Sequence, residues 1–177
     1  MPETGPRQKL LYEQAAGSYG AALDRLARAY ESDAEKRRDL QQEIHLGLWR
    51  SFAGFDERCS LRTWIYRVAH NAAASHVIRQ ARSSARTFVS LDEVDIAADF
   101  VPAESDLDRR QHLDRLLSLI RELKPIDRQV MVSYLEDLDA ASIGEITGLT
   151  AINVSTKIHR IKHILAERFQ EGVHRAE

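Results

Sequence analysis

Between Arg58 and Leu91 the chain carries six arginines, at 58, 62, 67, 79, 82 and 86, and no acidic residue. Guanidinium groups without carboxylates nearby have no local counter-charge, and phosphate oxygens are ligands that suit them. Trp64, Arg67 and Asn71 stand at i, i+3 and i+7, with Tyr66 and His70 beside them, so one helical face would present indole, guanidinium and amide together. Such a face can hold phosphates and stack bases. A packed helix with a solvated basic face is the plainer alternative. A second polar set lies near the C-terminus, where Asn153, Ser155, Thr156, Lys157, His159, Arg160 and Lys162 surround an apolar stripe of Val154, Ile158, Ile161 and Leu165. Polar side chains at the start of a helix that follows a short turn fit the major groove of duplex DNA.

Other chemistries find little support. No Gly-rich phosphate loop, nucleophile elbow or paired-carboxylate motif occurs, so no enzyme and no cofactor are expected. His159 and His163 are one helical turn apart, but no third ligand is placed by sequence, and they read as a solvated or phosphate-facing pair rather than a metal site. The lone Cys59 excludes an internal disulfide and fits a reducing compartment. No signal-peptide core and no apolar run of roughly 18 residues is present, so a soluble, cytoplasmic protein is expected.

The elements that must position these residues follow from period and punctuation. Residues 7–30 carry Leu11, Ala15, Ala22, Leu26 and Tyr30 at helical spacing, as one long helix or as two short ones broken near Gly17 and Gly20, after a frayed start to Pro6. Asp33 N-caps a helix to about Phe52 whose buried stripe is Leu40, Ile44, Leu48 and Phe52. Its opposite face holds Asp39, Gln42, Glu43 and one leucine, Leu46. After the polar loop to Cys59, a helix from Leu61 to about residue 86 would bury Leu61, Ile65, Val68 and Ala72.

Residues 87–108 read as an acidic linker. From Ser90 to Asp108 there are seven acids and no base, and setting these aside moves the formal charge from −2 to +5 for the rest of the chain. Four helices follow. The first has the stripe Leu113, Leu116, Leu117 and Ile120 and ends at Lys124-Pro125. The second turns Val130, Met131 and Tyr134 inward. The third is N-capped by Asp139, and Gly148 and Thr150 set the turn into the fourth, which reaches about Phe169.

Two stretches, Asp39-Leu40-Gln41-Gln42-Glu43-Ile44-His45-Leu46-Gly47-Leu48-Trp49 and Ser60-Leu61-Arg62-Thr63-Trp64-Ile65-Tyr66-Arg67-Val68-Ala69-His70-Asn71, together resemble region two of the extracytoplasmic-function sigma factors of bacterial RNA polymerase. Leu123-Lys124-Pro125-Ile126-Asp127-Arg128-Gln129-Val130 and Ile143-Gly144-Glu145-Ile146-Thr147-Gly148-Leu149-Thr150 resemble region four of the same family. The resemblance covers nearly the whole chain. It implies an all-α fold of two small helical domains, residues 7–86 and 109–177, joined by the acidic linker. It implies docking on core RNA polymerase through Asp39, Gln42, Glu43 and Leu46. Arg62, Trp64, Arg67, Asn71 and Arg79 would read and open the minus-ten element of promoter DNA. Asn153, Ser155, Thr156, Lys157 and Arg160 would read the minus-thirty-five element. The linker is either a tether or a mimic of nucleic acid in the polymerase's RNA-exit path, and an anti-sigma factor is left open as a third partner.

The chain departs from the family pattern at His45, Gly47, Ser75, Gly144 and Ser155, which bears on the promoter sequence and on minus-thirty-five affinity. Two rival readings are a stand-alone helix-turn-helix regulator and a helical interaction protein without DNA. The first leaves the Trp64 face and Leu46 unexplained, and the second leaves the arginine run unexplained.

Overall fold

Each helix after the first begins or ends where a side chain, a proline or a glycine supplies what the backbone lacks. The computed structural model describes residues 4–86 and 106–174. Its helices are α1 (Thr4–Tyr30), α2 (Ala34–Ser51), α3 (Leu61–Arg86), α4 (Asp106–Glu122), α5 (Pro125–Leu135), α6 (Ala140–Thr147) and α7 (Ala151–His174), with a 3-10 turn at Phe52–Gly54. No strand occurs among the described residues. The Asp33 carboxylate accepts from the amides of Glu35 and Lys36, both at 2.9 Å, and caps α2. Asp139 accepts from the Ser142 amide at 2.7 Å, and Thr150 Oγ1 from the Asn153 amide at 3.3 Å. Pro125 sits in the first turn of α5, where a missing N–H loses no helical bond. Gly148, at φ 77, closes α6 with its amide on the Gly144 carbonyl at 2.8 Å.

Three boundaries differ from expectation. α1 starts at Thr4 and passes Gly17 and Gly20 without a break, because Ala15, Ala22, Leu23 and Leu26 are all buried along it and tertiary packing outweighs the helix cost of glycine. α4 starts at Asp106 rather than at Arg109, and α7 continues to His174. Residues 87–105 of the linker lie outside the described residues, and with them the choice between tether and mimic.

The first module packs α2 between α1 and α3 around Leu23, Leu26, Leu40, Ile44, Leu48, Phe52 and Ile65. The second gathers α4, α5 and α6 on α7 around Ile120, Val130, Met131, Ile143, Val154, Ile161 and Leu165. The expected stripes of α2 and α7 are buried, with Ile158 half-buried at the rim. Two stripes need correction. In α3 the fully buried positions are Thr63, Ile65, Tyr66, Ala69, His70, Ala73 and His76, while Leu61, Val68 and Ala72 are only half-buried. The reason is that α3 is covered twice, by α1 and α2 on one side and by α5 and α6 on the other. In α4, Leu113 is 49% exposed because it opens onto a groove between α1, α4 and α5 instead of entering the core. No described helix is long and apolar enough to cross a membrane.

Candidate nucleic-acid interface

Three arginines of α3, Arg62, Arg67 and Arg79, find partners on other elements. Arg58 pairs with Asp56 within the loop before α3 at 2.5 Å, and Arg79 pairs with Glu43 of α2. Arg62 donates to the Glu136 carbonyl, and Arg67 to the Glu145 carbonyl at 3.0 Å, both in the second module. Asn71 is exposed. Arg62, Arg67, Asn71 and Arg79 therefore lie along one helix, but the first two face the C-terminal module and the last two face solvent.

Tyr66 and His70, expected beside an exposed face, are instead buried at the junction. His70 Nδ1 lies 2.9 Å from Tyr30 Oη and its Nε2 2.9 Å from Ser133 Oγ. Burial pushes the imidazole down to about 3, so it is neutral, with one ring nitrogen donating and the other accepting. Burial also pushes the Tyr30 phenol well above its usual range. The Tyr66 phenol rises for the same reason, reinforced by the Glu136 carboxylate at 3.3 Å. Trp64 is half-buried. Its Nε1 donates to Ser51 Oγ at 3.0 Å and its ring lies 5.2 Å from that of Phe55, so the indole clamps the α2–α3 connection.

On α2, Asp39 and Gln42 are exposed and Leu46 is 48% exposed, in a row opposite the buried stripe. Glu43 is half-buried, held by Arg79 and by His76, whose Nδ1 lies 3.5 Å from the Glu43 carboxylate. Trp49, one turn beyond Leu46, is also exposed and packs edge-on against Tyr12 at 5.6 Å. His45 Nδ1 sits 3.0 Å from Tyr12 Oη, so α1 supplies a hydrogen-bonding partner for this imidazole.

At the start of α7, Asn153, Ser155 and Thr156 are exposed. The two hydroxyls donate back to the carbonyls of Ala151 and Ile152, each at 3.0 Å, and keep lone pairs toward solvent. Lys157 and Arg160 are less available than their charge suggests. Both reach the nearly buried carboxylate of Asp127 on α5, at 2.7 and 3.3 Å. Ile152, passed over by the polar pattern, is 79% exposed next to Asn153; an isoleucine off the apolar stripe at the tip of a helix was the available signal. His159 and His163 line a cavity of about 550 Å³ with Asp139, and His163 pairs with Glu167 at 3.3 Å. Among the described residues no group of three or more potential ligands stands close enough to hold a metal ion.

Two helical modules, one with an arginine-rich helix and an exposed acidic-apolar row on α2 and the other with a helix-turn-helix, have the architecture of the sigma-70 type. The Sigma-70 region 2 family model matches residues 16–83, and the Sigma-70, region 4 model matches residues 113–164. The chain is 26% identical over 125 residues to the RNA polymerase sigma-H factor of Pseudomonas aeruginosa, covering 70% of this chain and 62% of that protein's length. It is 25% identical over 144 residues to the ECF RNA polymerase sigma factor SigW of Bacillus subtilis, covering 75% of each. Its fold is similar to that of CnrH in complex with the cytosolic domain of CnrY, with a TM-score of 0.68 and 18% identity over 95% of this chain and 92% of that one. It is similar as well to the sigma factor RpoE of Bartonella quintana bound to the anti-sigma factor NepR, with a TM-score of 0.67 and 19% identity over 92% and 96%. The chain belongs to the extracytoplasmic-function sigma factors.

Proposed function

We propose that this protein is an alternative sigma factor that binds core RNA polymerase and directs initiation at promoters with its own minus-ten and minus-thirty-five elements. It is a cytoplasmic, non-enzymatic factor. Residues 7–86 form the polymerase-docking and minus-ten module, residues 87–108 the linker, and residues 109–177 the minus-thirty-five module. The docking row is Asp39, Gln42, Glu43 and Leu46. Arg62, Arg67, Asn71 and Arg79 serve the minus-ten element together with Trp64, and Asn153, Ser155, Thr156, Lys157 and Arg160 serve the minus-thirty-five element. An anti-sigma factor is a further expected partner. The groove lined by Leu113, Leu116, Leu117 and Leu135 between Arg25 and Arg28 offers an apolar helix face somewhere to lie.

The observation that carries this reading is the exposed row Asp39–Gln42–Leu46 on α2, opposite a fully buried stripe and adjoining a helix without acids. A stand-alone DNA-binding regulator has no use for such a row. Pull-down of core polymerase by the purified chain tests it. Leu46→Ala should weaken capture several-fold with helix content unchanged, since truncating a central apolar contact at an interface commonly costs about 1–2 kcal/mol. Capture by Leu46→Ala equal to wild type would remove the docking assignment. Duplex DNA binding without any polymerase capture would favour the stand-alone regulator.

A further inference from the structure

One side chain at the tip of α7 is not accounted for by the polar set around it. Ile152 is 79% exposed, more than any other large apolar side chain among the described residues, and it has no place in the buried cluster. It stands in the first turn of α7, two residues after Thr150, whose Oγ1 accepts from the Asn153 amide at 3.3 Å. The turn before it is closed by the Gly148 amide on the Gly144 carbonyl at 2.8 Å. The start of α7 is therefore fixed by groups that do not include Ile152. An isoleucine left in water there contributes no burial, and as a β-branched residue it is a weaker helix former than alanine, leucine or lysine.

We propose that Ile152 is a specificity-determining residue that packs on the 5-methyl group of a thymine in the minus-thirty-five element. The proposal rests on the minus-thirty-five reading of α7 and adds which base this chain selects there. In the major groove the bases differ by their donors and acceptors, and thymine alone among them carries a methyl group. The N-terminal residues of the second helix of a helix-turn-helix are those that reach base edges. From Thr150 to Thr156 no side chain is charged, so this turn brings no arginine or lysine to the O6 and N7 of a guanine. The next cations, Lys157 and Arg160, reach back to Asp127 at 2.7 and 3.3 Å. Ser155 and Thr156 donate their hydroxyl protons to the carbonyls of Ala151 and Ile152, each at 3.0 Å, and face the groove as acceptors. An acceptor suits the amino group of adenine or cytosine and finds no partner on guanine N7 and O6 or on thymine O4. The amide of Asn153 matches adenine N6 and N7. The surroundings of Ile152 are thus suited to adenine on one strand, and its own apolar surface to the thymine methyl on the other.

The test uses holoenzyme assembled from the full-length chain and core polymerase, which selects bound duplexes from a pool randomised across both promoter elements. One thymine of the selected minus-thirty-five element should matter through its methyl group. Replacing it by deoxyuridine, which pairs identically and lacks only that methyl, should weaken wild-type binding about fourfold, the effect of uncovering one methyl-sized apolar group. Ile152→Val should keep this sensitivity. Ile152→Ser should bind the thymine and deoxyuridine duplexes equally and select no base at that position, with the rest of the element retained. Because Ile152 lies outside the core, both variants should melt as wild type does. A selected element without thymine, a wild type indifferent to deoxyuridine at every thymine, or an Ile152→Ser variant as methyl-sensitive as wild type would overturn the proposal. So would an Ile152→Ser variant that weakens equally on every duplex, since the lost contact would then lie on the polymerase or on a phosphate. The minus-thirty-five reading fails separately, and the proposal with it, if wild-type holoenzyme selects a minus-ten element and nothing upstream of it.

Discussion

His70 and Trp64 are the two side chains whose surroundings most change what their types suggest. A histidine held neutral between Tyr30 and Ser133, with Tyr66 alongside and Arg128 stacked over Tyr30 at 5.4 Å, takes up a proton far less readily folded than unfolded. Its folded value of about 3 lies below the ordinary 6.5, so the unfolded chain binds more protons anywhere between. The stability His70 contributes is complete above about pH 6.5 and is lost as pH falls toward 3, with a slope of about 1.4 kcal/mol per pH unit. Urea denaturation at pH 7 and pH 5 should show that loss in the wild type and a smaller one in His70→Gln; equal losses would mean His70 does not carry it. Trp64 is bonded to Ser51 and tilted on Phe55, so Trp64→Ala should lower stability by about 2–3 kcal/mol, below the roughly 3–5 of a fully buried ring. Thermal melting checks this. Permanganate footprinting of promoter thymines in parallel would show a base-stacking role instead, if opening fails while the melting temperature holds.

At the scale of elements, the turn between α6 and α7 depends on one missing methyl group. A Cβ on Gly144 would stand 2.6 Å from the Leu149 carbonyl oxygen, a backbone atom that cannot swing aside. An alanine is thus not interchangeable with Gly144 here. Gly144→Ala should cost about 1–3 kcal/mol and shift the axis of α7, lowering duplex affinity more than the stability loss alone explains. Chemical denaturation together with a duplex-binding titration measures both effects; an alanine variant as stable as wild type would show that the turn relaxes. The neighbouring anchor works in the opposite sense. Asp127 fixes Lys157 and Arg160 against α5 and so lowers the number of cations α7 can bring to phosphates.

For the molecule as a whole, the question is how far the second module stands alone. Ile120, Val130, Met131, Ile143, Val154, Ile161 and Leu165 are buried among α4–α7, while Ser133 is buried against His70 of the first module and Arg128 lies over Tyr30. The fragment 109–177 should fold cooperatively and bind duplex DNA with an affinity that falls measurably with salt. Each phosphate neutralised contributes about 0.9 to the slope of log affinity against log salt. With Lys157 and Arg160 tied to Asp127, a slope nearer one or two than four is expected from α7, and an affinity that ignores salt would refute the assignment.

Much of this was written in the order of residues. The four-three-four spacing of Val154, Ile158, Ile161 and Leu165, the row Leu40–Ile44–Leu48–Phe52, the caps Asp33, Asp139 and Thr150, and the glycine turn at 148 are local features. A helix buries its apolar stripe whatever lies opposite, and a cap bonds amides two or three residues away. The exposed row of α2 was legible for the same reason. What covers α3 was not. Tyr66 and His70 are inside, and Arg62 and Arg67 are engaged, because Ser133, Glu136 and Glu145 arrive from more than 60 residues along the chain. The pairing of Lys157 with Asp127, and the exposure of Leu113, likewise depend on how helices from distant stretches meet. Periodicity states which faces are apolar and leaves open which partner meets them. The meeting of the two modules was decided by tertiary packing alone, where an isolated helix face and a carbonyl at the end of α5 become complementary only once both are folded.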